Sequence, residues 1–189
     1  MTLTPRLRRV AIIASIATAA ILLPAVALAS SAGTTVAAKT AAVHRCYQSE
    51  LIAWLGIPAD AAAGHYYYEL ELSNKSGQTC TLYGYPGVSA LTAGNQDGSA
   101  AARTPSHPRT LVTLAPGATA HAILEITNAY AFPTAACKPV TATQVRVYPP
   151  GAYASLQFGY FFDACSKAGP VYLQVSPMIR GTGIPGYSV

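Results

Sequence analysis

The sequence predicts an all-β domain, an antiparallel immunoglobulin-like β-sandwich of about seven to eight strands, stapled by disulfides. Three observations carry that prediction. Period-two alternation recurs in short runs bounded by Gly and Pro, without the βαβ rhythm of a parallel sheet. Hydrophobic residues reach 51% against 10% charged, with 14 Pro, 15 Gly and 12 Tyr. Four cysteines, an even number, stand in a chain headed by an export segment.

That head occupies residues 1–29. Arg6, Arg8 and Arg9 form a basic start, Val10 to Leu23 is apolar, and Pro24 precedes Ala27-Leu28-Ala29. Small residues in that spacing predict a signal peptide cleaved after Ala29. The rival reading is an uncut anchor, since Val10 to Ala29 carries no charge and is about long enough to span a bilayer. Cleavage leaves no stable membrane span, and no cysteine stands at the cut to take a lipid. It also removes three arginines and no acid, leaving nine bases against seven acids, or +2 rather than +5. The remaining charges are scattered, which excludes a nucleic-acid-binding stripe. Residues 30–43, small and aperiodic, read as a flexible linker. The sandwich domain then spans 44–178, and 179–189 form a C-terminal tail.

Taking the strands in order, "SELIAWLGIP" fits a strand or a short helix, ended by Pro58. Strand is preferred because the run is short and everything after it is β. In "YYYELELS", Tyr66, Tyr68, Leu70 and Leu72 share one face, and Tyr67, Glu69 and Glu71 the other, expected to be solvated. "TCTLYGY" places Cys80 and Leu82 on one face, and Pro86-Gly87 turns the chain into "GVSAL". Asp97-Gly98 is a hairpin signal. After a turn at Pro116-Gly117, Ala120, Ala122, Leu124 and Ile126 alternate against His121, Ile123 and Glu125. "QVRVYPPG" sets Val145 and Val147 inward. "YASLQFGY" follows, and "VYLQVSP" sets Val171, Leu173 and Val175 inward.

Cys46, Cys80, Cys137 and Cys165 allow three pairings. Cys46–Cys80 with Cys137–Cys165 is favoured, because each bridge then ties sequential segments that can be sheet neighbours. Closing a loop of about thirty residues stabilises the fold by roughly 3–4 kcal/mol on the chain-entropy account. No CxxC pair occurs, and no cysteine has a histidine at zinc-ligand spacing, so thiolate metal sites and redox exchange are not indicated.

Catalytic signatures are absent from the sequence. No serine lies in a G-x-S-x-G elbow. His44, His65, His107 and His121 form neither H-E-x-x-H nor H-x-H, and "GNQDGS" lacks the acids of a calcium loop. No metal or other cofactor is expected. Glu69 and Glu71 stand two apart on one strand face, a pair of carboxylates that suits glycoside hydrolysis. A solvated sheet face, which the alternation predicts anyway, is the preferred reading of the pair. The tyrosines are the stronger contact candidates, because their rings bring large area at little entropic cost. Tyr66, Tyr68, Tyr83 and Tyr85 define the candidate binding surface, while strand propensity and the capping of sandwich ends are the preferred account of so many tyrosines. Asn74-Lys75-Ser76 reads as a glycosylation sequon, and Asn-x-Ser-Gly also makes a turn.

Three stretches together are specific: "AAAGHYYYELELSNKSGQTCTLYGYPGVSAL", "LAPGATAHAILEITN", and a closing "ACS" followed by "VYLQVSP". From Cys46 to Pro177 the chain resembles the actinobacterial "domain of unknown function 4232" family. The resemblance implies a secreted or envelope-anchored bacterial β-sandwich. That family carries no established activity, so it implies no catalytic residue. Its members are often lipoproteins, whereas this chain has no lipobox.

The expected function is therefore a non-enzymatic exported domain at the cell envelope that binds a protein or polysaccharide partner. The alternatives are a glycan-directed hydrolase using Glu69 and Glu71, and a purely structural envelope protein.

Overall fold

Residues 43–56 and 60–182 are described in a computed structural model of the chain. The expected signal peptide, most of the expected linker and residues 183–189 lie outside them. The longest alternating run becomes β3 (His65–Asn74), the second strand of a seven-stranded sheet. β3 lies between β1 (Leu51–Leu55) and β9 (Thr119–Thr127), antiparallel to both. β9 in turn pairs with β12 (Leu173–Val175), and β12 with β7 (Ala102–Arg103). The β12–β7 ladder is parallel. Two short strands complete this sheet: β2 (Asp60–Ala62) on β3 and β13 (Ile179–Arg180) on β9. The sheet thus continues past residue 178 into the segment read as a tail.

A second sheet runs β11 (Leu156–Cys165), β10 (Pro139–Tyr148), β5 (Gly87–Thr92), β6 (Asn95–Asp97). A separate two-stranded ladder joins β4 (Cys80–Tyr83) to β8 (Leu111–Leu114). The result is mostly β and sandwich-like. Thirteen strands occur among the described residues, more than the sequence announces, because several are only two or three residues long and have no alternation to read.

One core fills the space between the sheets. β3 and β9 contribute Tyr68, Leu70, Leu72, Ala120, Ala122, Leu124 and Ile126, and β5 and β10 contribute Val88, Ala90, Val145 and Val147. A register shift between Ala142 and Gln144 is a β-bulge. It moves the inward positions of β10 from even (Ala142) to odd (Val145, Val147), so both halves of the strand face the core. Cys46 bonds Cys80, and Cys137 bonds Cys165. The described residues hold no free cysteine.

Four local expectations are corrected. The hairpin turn between β5 and β6 is Ala93-Gly94, both at positive φ, not Asp97-Gly98. Gly98 is a glycine for another reason: a Cβ there would stand on the Cys165 carbonyl oxygen and 2.9 Å from that of Lys167. After β4 the chain bends at Gly84 (φ 97°), and Gly87 already belongs to β5. Val171 precedes β12 and is exposed, while Tyr172 is buried with its hydroxyl donated to the Asp97 carbonyl. Glu69 and Glu71 are buried, at 1% and 2% exposure, rather than solvated.

Candidate functional site

The outer face of the large sheet carries the polar positions of the alternation. Register opposes Tyr67 to Glu125, Glu69 to Ile123 and Glu71 to His121, while Gln174 lies beside Glu125. Opposed residues in a sheet share a face, so residues up to about a hundred positions apart meet there. Gly56 lies over Glu69 and Glu71: its N–H donates to the Glu69 carbonyl, and a Cβ on it would come 3.3 Å from Glu69 Cβ and Glu71 Oε1.

Beside these carboxylates is a pocket of about 410 Å³. Tyr67 and Ile123 line it from the sheet, Glu125, Gln174 and Ser176 add polar groups, and Thr104, Ser106 and His107 come from the segment after β7. His65 Nδ1 lies 2.6 Å from Glu125 Oε1 and 3.2 Å from Thr127 Oγ1, holding the carboxylate in place. Gln174 Oε1 accepts from Thr104 Oγ1 at 3.3 Å, which leaves its amide hydrogens for a ligand. His107 Nδ1 faces the Pro108 carbonyl at 3.2 Å and therefore carries the proton. Its Nε2 is buried and has no hydrogen-bond partner. The pocket offers acceptors, an amide donor, hydroxyls and one aromatic ring. Among the described residues no group of three or more His, Cys, Asp or Glu has metal-site geometry.

The four tyrosines singled out from the sequence do not form one surface. Tyr68 is core, only 8% exposed, packed edge-on against Tyr160 at 5.3 Å. Burial raises the Tyr160 hydroxyl pKa well above its usual value, and Tyr68 adds to the shift. Tyr66 is partly exposed and meets Tyr68, Tyr160 and Phe162 around a cleft of about 180 Å³. Tyr83 and Tyr85 stand apart on and after β4, each beneath an arginine: Arg109 at 5.9 Å and Arg103 at 5.6 Å. Tyrosine content predicts contact residues, but alternation sends every second ring inward.

Asn74 is spent internally. Its Oδ1 accepts from Ser76 N–H and Oγ–H, and its Nδ2 donates to the Gln78 and Leu114 carbonyls. At 1% exposure it closes the turn after β3 and leaves no amide free for a glycan. Sequence reading missed the Glu125–His65 pair and the parts played by His107 and Gln174. The available signal was the placement of His65, Tyr67, Glu69 and Glu71 on one parity of the first strand, and of His121 and Glu125 on one parity of the second.

A family model described as a domain of unknown function, DUF4232, matches residues 46–178. The chain belongs to the DUF4232 family. The match takes in both disulfides and every residue lining the pocket. No curated protein and no solved structure matches this DUF4232 chain. No helix among the described residues is long and apolar enough to cross a membrane.

Proposed function

We propose that this DUF4232 protein is an exported, non-enzymatic domain that binds a protein or polysaccharide partner at the cell envelope. The pocket on the outer face of the large sheet is its contact site. The observation that carries this reading is the concentration in one cavity of the Tyr67 ring, the Glu125 carboxylate, the Gln174 amide and the His107 ring. An aromatic wall with a few convergent polar groups is the usual composition of a recognition pocket. Two disulfides support export, since such bridges persist in oxidising compartments. The alternative of a hydrolase working through Glu69 and Glu71 loses support from their burial, because a sugar must reach both carboxylates.

The test is binding of the disulfide-bonded protein to a glycan array and to fractionated envelope proteins, repeated with Tyr67→Ala and Glu125→Gln. The expected result is a ligand whose affinity falls about tenfold or more in either variant, each of them folded by circular dichroism. Binding indifferent to both substitutions would move the contact site elsewhere.

A further inference from the structure

A second concavity lies away from the sheet face, between the start of the domain and the loop after β10. It measures about 380 Å³ and is lined by Arg45 to Ser49 on one side and Ala152 to Ala154 on the other. Tyr47 and Tyr153 flank it, 58% and 97% exposed. A tyrosine almost wholly in water contributes nothing to the fold, so packing gives no reason for Tyr153.

Both rings nevertheless stand on fixed supports. On one side the Cys46–Cys80 bridge and the bond from Cys46 N–H to the Thr81 carbonyl anchor the segment. Tyr47 N–H donates to Glu50 Oε2 at 2.7 Å, Glu50 Oε1 meets His44 Nε2 at 2.9 Å, and the His44 ring stacks on Tyr47. On the other side Pro149-Pro150-Gly151-Ala152 forms a tight turn closed by Ala152 N–H to the Pro149 carbonyl. Pro at the second position and a glycine at φ 69° in the third make it type II. The Arg45 guanidinium lies across this turn, where a Cβ on Gly151 would come within 2.9 Å of Nη1. Among the described residues the two ion pairs are both His–Glu, and neither involves Arg45.

We propose that this cleft is a carbohydrate subsite for an anionic glycan, and that it works independently of the sheet-face pocket. Tyr47 and Tyr153 take the apolar faces of the sugar rings. Arg45 takes a carboxylate or phosphate carried by the chain, a geometry that guanidinium matches with two parallel hydrogen bonds. Gln48 and Ser49 supply hydrogen bonds to hydroxyls at the rim. The supports are rigid before binding, so little ordering entropy opposes the contact.

The experiment titrates the disulfide-bonded protein with hyaluronate oligosaccharides, phosphomannan and dextran. These probe a uronate, a phosphodiester and a neutral chain. At least one anionic glycan is expected to bind about tenfold or more tightly than dextran, with affinity falling as salt rises. Arg45→Gln should erase the preference over dextran, and Tyr153→Ala should weaken the anionic glycan about tenfold while leaving the melting temperature unchanged. Which anionic glycan responds separates carboxylate from phosphate recognition. The proposal is overturned if no anionic glycan binds at millimolar concentration, if dextran binds equally well, or if both substitutions are silent. A protein partner that requires Tyr153 while every glycan fails overturns it too. Glycan binding abolished by Glu125→Gln but untouched by Tyr153→Ala would retain the sheet-face reading and reject this one.

Discussion

Both faces of the β3–β9 ladder bury side chains, yet they are built on opposite principles. On the inner face large residues oppose small or matching ones, Leu70 against Ala122, Leu72 against Ala120 and Tyr68 against Leu124, and the second sheet covers them. On the outer face Tyr67 opposes Glu125 and Glu71 opposes His121, with Gly56 lying close over the buried glutamates. Burial inside is stabilising in itself, since apolar area leaves water. Burial outside removes carboxylates from water, which costs free energy that their surroundings must offset. A sheet face that holds titratable groups out of solvent beside a pocket is a face shaped for something other than stability alone.

Substitutions separate the two faces. Leu70→Ala, at the centre of the inner face, is expected to cost about 2–5 kcal/mol, read from the denaturation midpoint with an unchanged m-value. A loss below about 1 kcal/mol would mean that the core does not lie between the sheets. Gly56→Ala on the outer side is expected to cost about 1–2 kcal/mol. Its new methyl meets Glu69 Cβ and Glu71 Oε1 at 3.3 Å, while the bond from Gly56 N–H to the Glu69 carbonyl keeps the backbone from retreating. A neutral or stabilising result would show the outer face to be loosely covered and erase the contrast.

The smallest effect comes from a carboxylate outside the sheet. The Tyr47 N–H holds the Glu50 carboxyl below its ordinary value of 4.5, with His44 adding to the shift. A depressed native pKa stabilises the fold fully above pH 4.5, and that contribution vanishes as pH falls through the native value. Glu50→Gln should therefore lower the melting temperature slightly at neutral pH, and the difference should close on acidification below pH 4.5. A gap that persists or widens in acid would assign the Glu50 contribution to packing rather than charge.

Much of the architecture is legible in the residues. β1, β3, β9, β10 and β11 have five to ten residues each, enough for alternation or β-rich composition to show. The turn at Pro116-Gly117 carries its own chemistry, with Gly117 at φ 77°. β2, β7 and β13 are legible only as partners of longer strands, because two or three residues hold no period. The β5–β6 turn escaped because Ala93 takes a left-handed conformation that alanine rarely adopts, while Asp97-Gly98 offered the more familiar signal. The site was less visible than the fold. His65 and Glu125 are sixty positions apart, and only the register of β3 on β9 makes them neighbours.

By itself the sequence determined the β class, the family, a set of cysteines sufficient for two disulfides, and which side chains share a face along the longest strands. These follow from local backbone geometry, from covalent chemistry and from motifs that a linear chain displays. Only the tertiary structure decided what covers each face. It put Glu69 and Glu71 out of solvent, sent Tyr68 into the core, and left Tyr153 in water beside Arg45. A pleated strand dictates that successive side chains point opposite ways, but whether either direction meets water depends on segments far away in sequence.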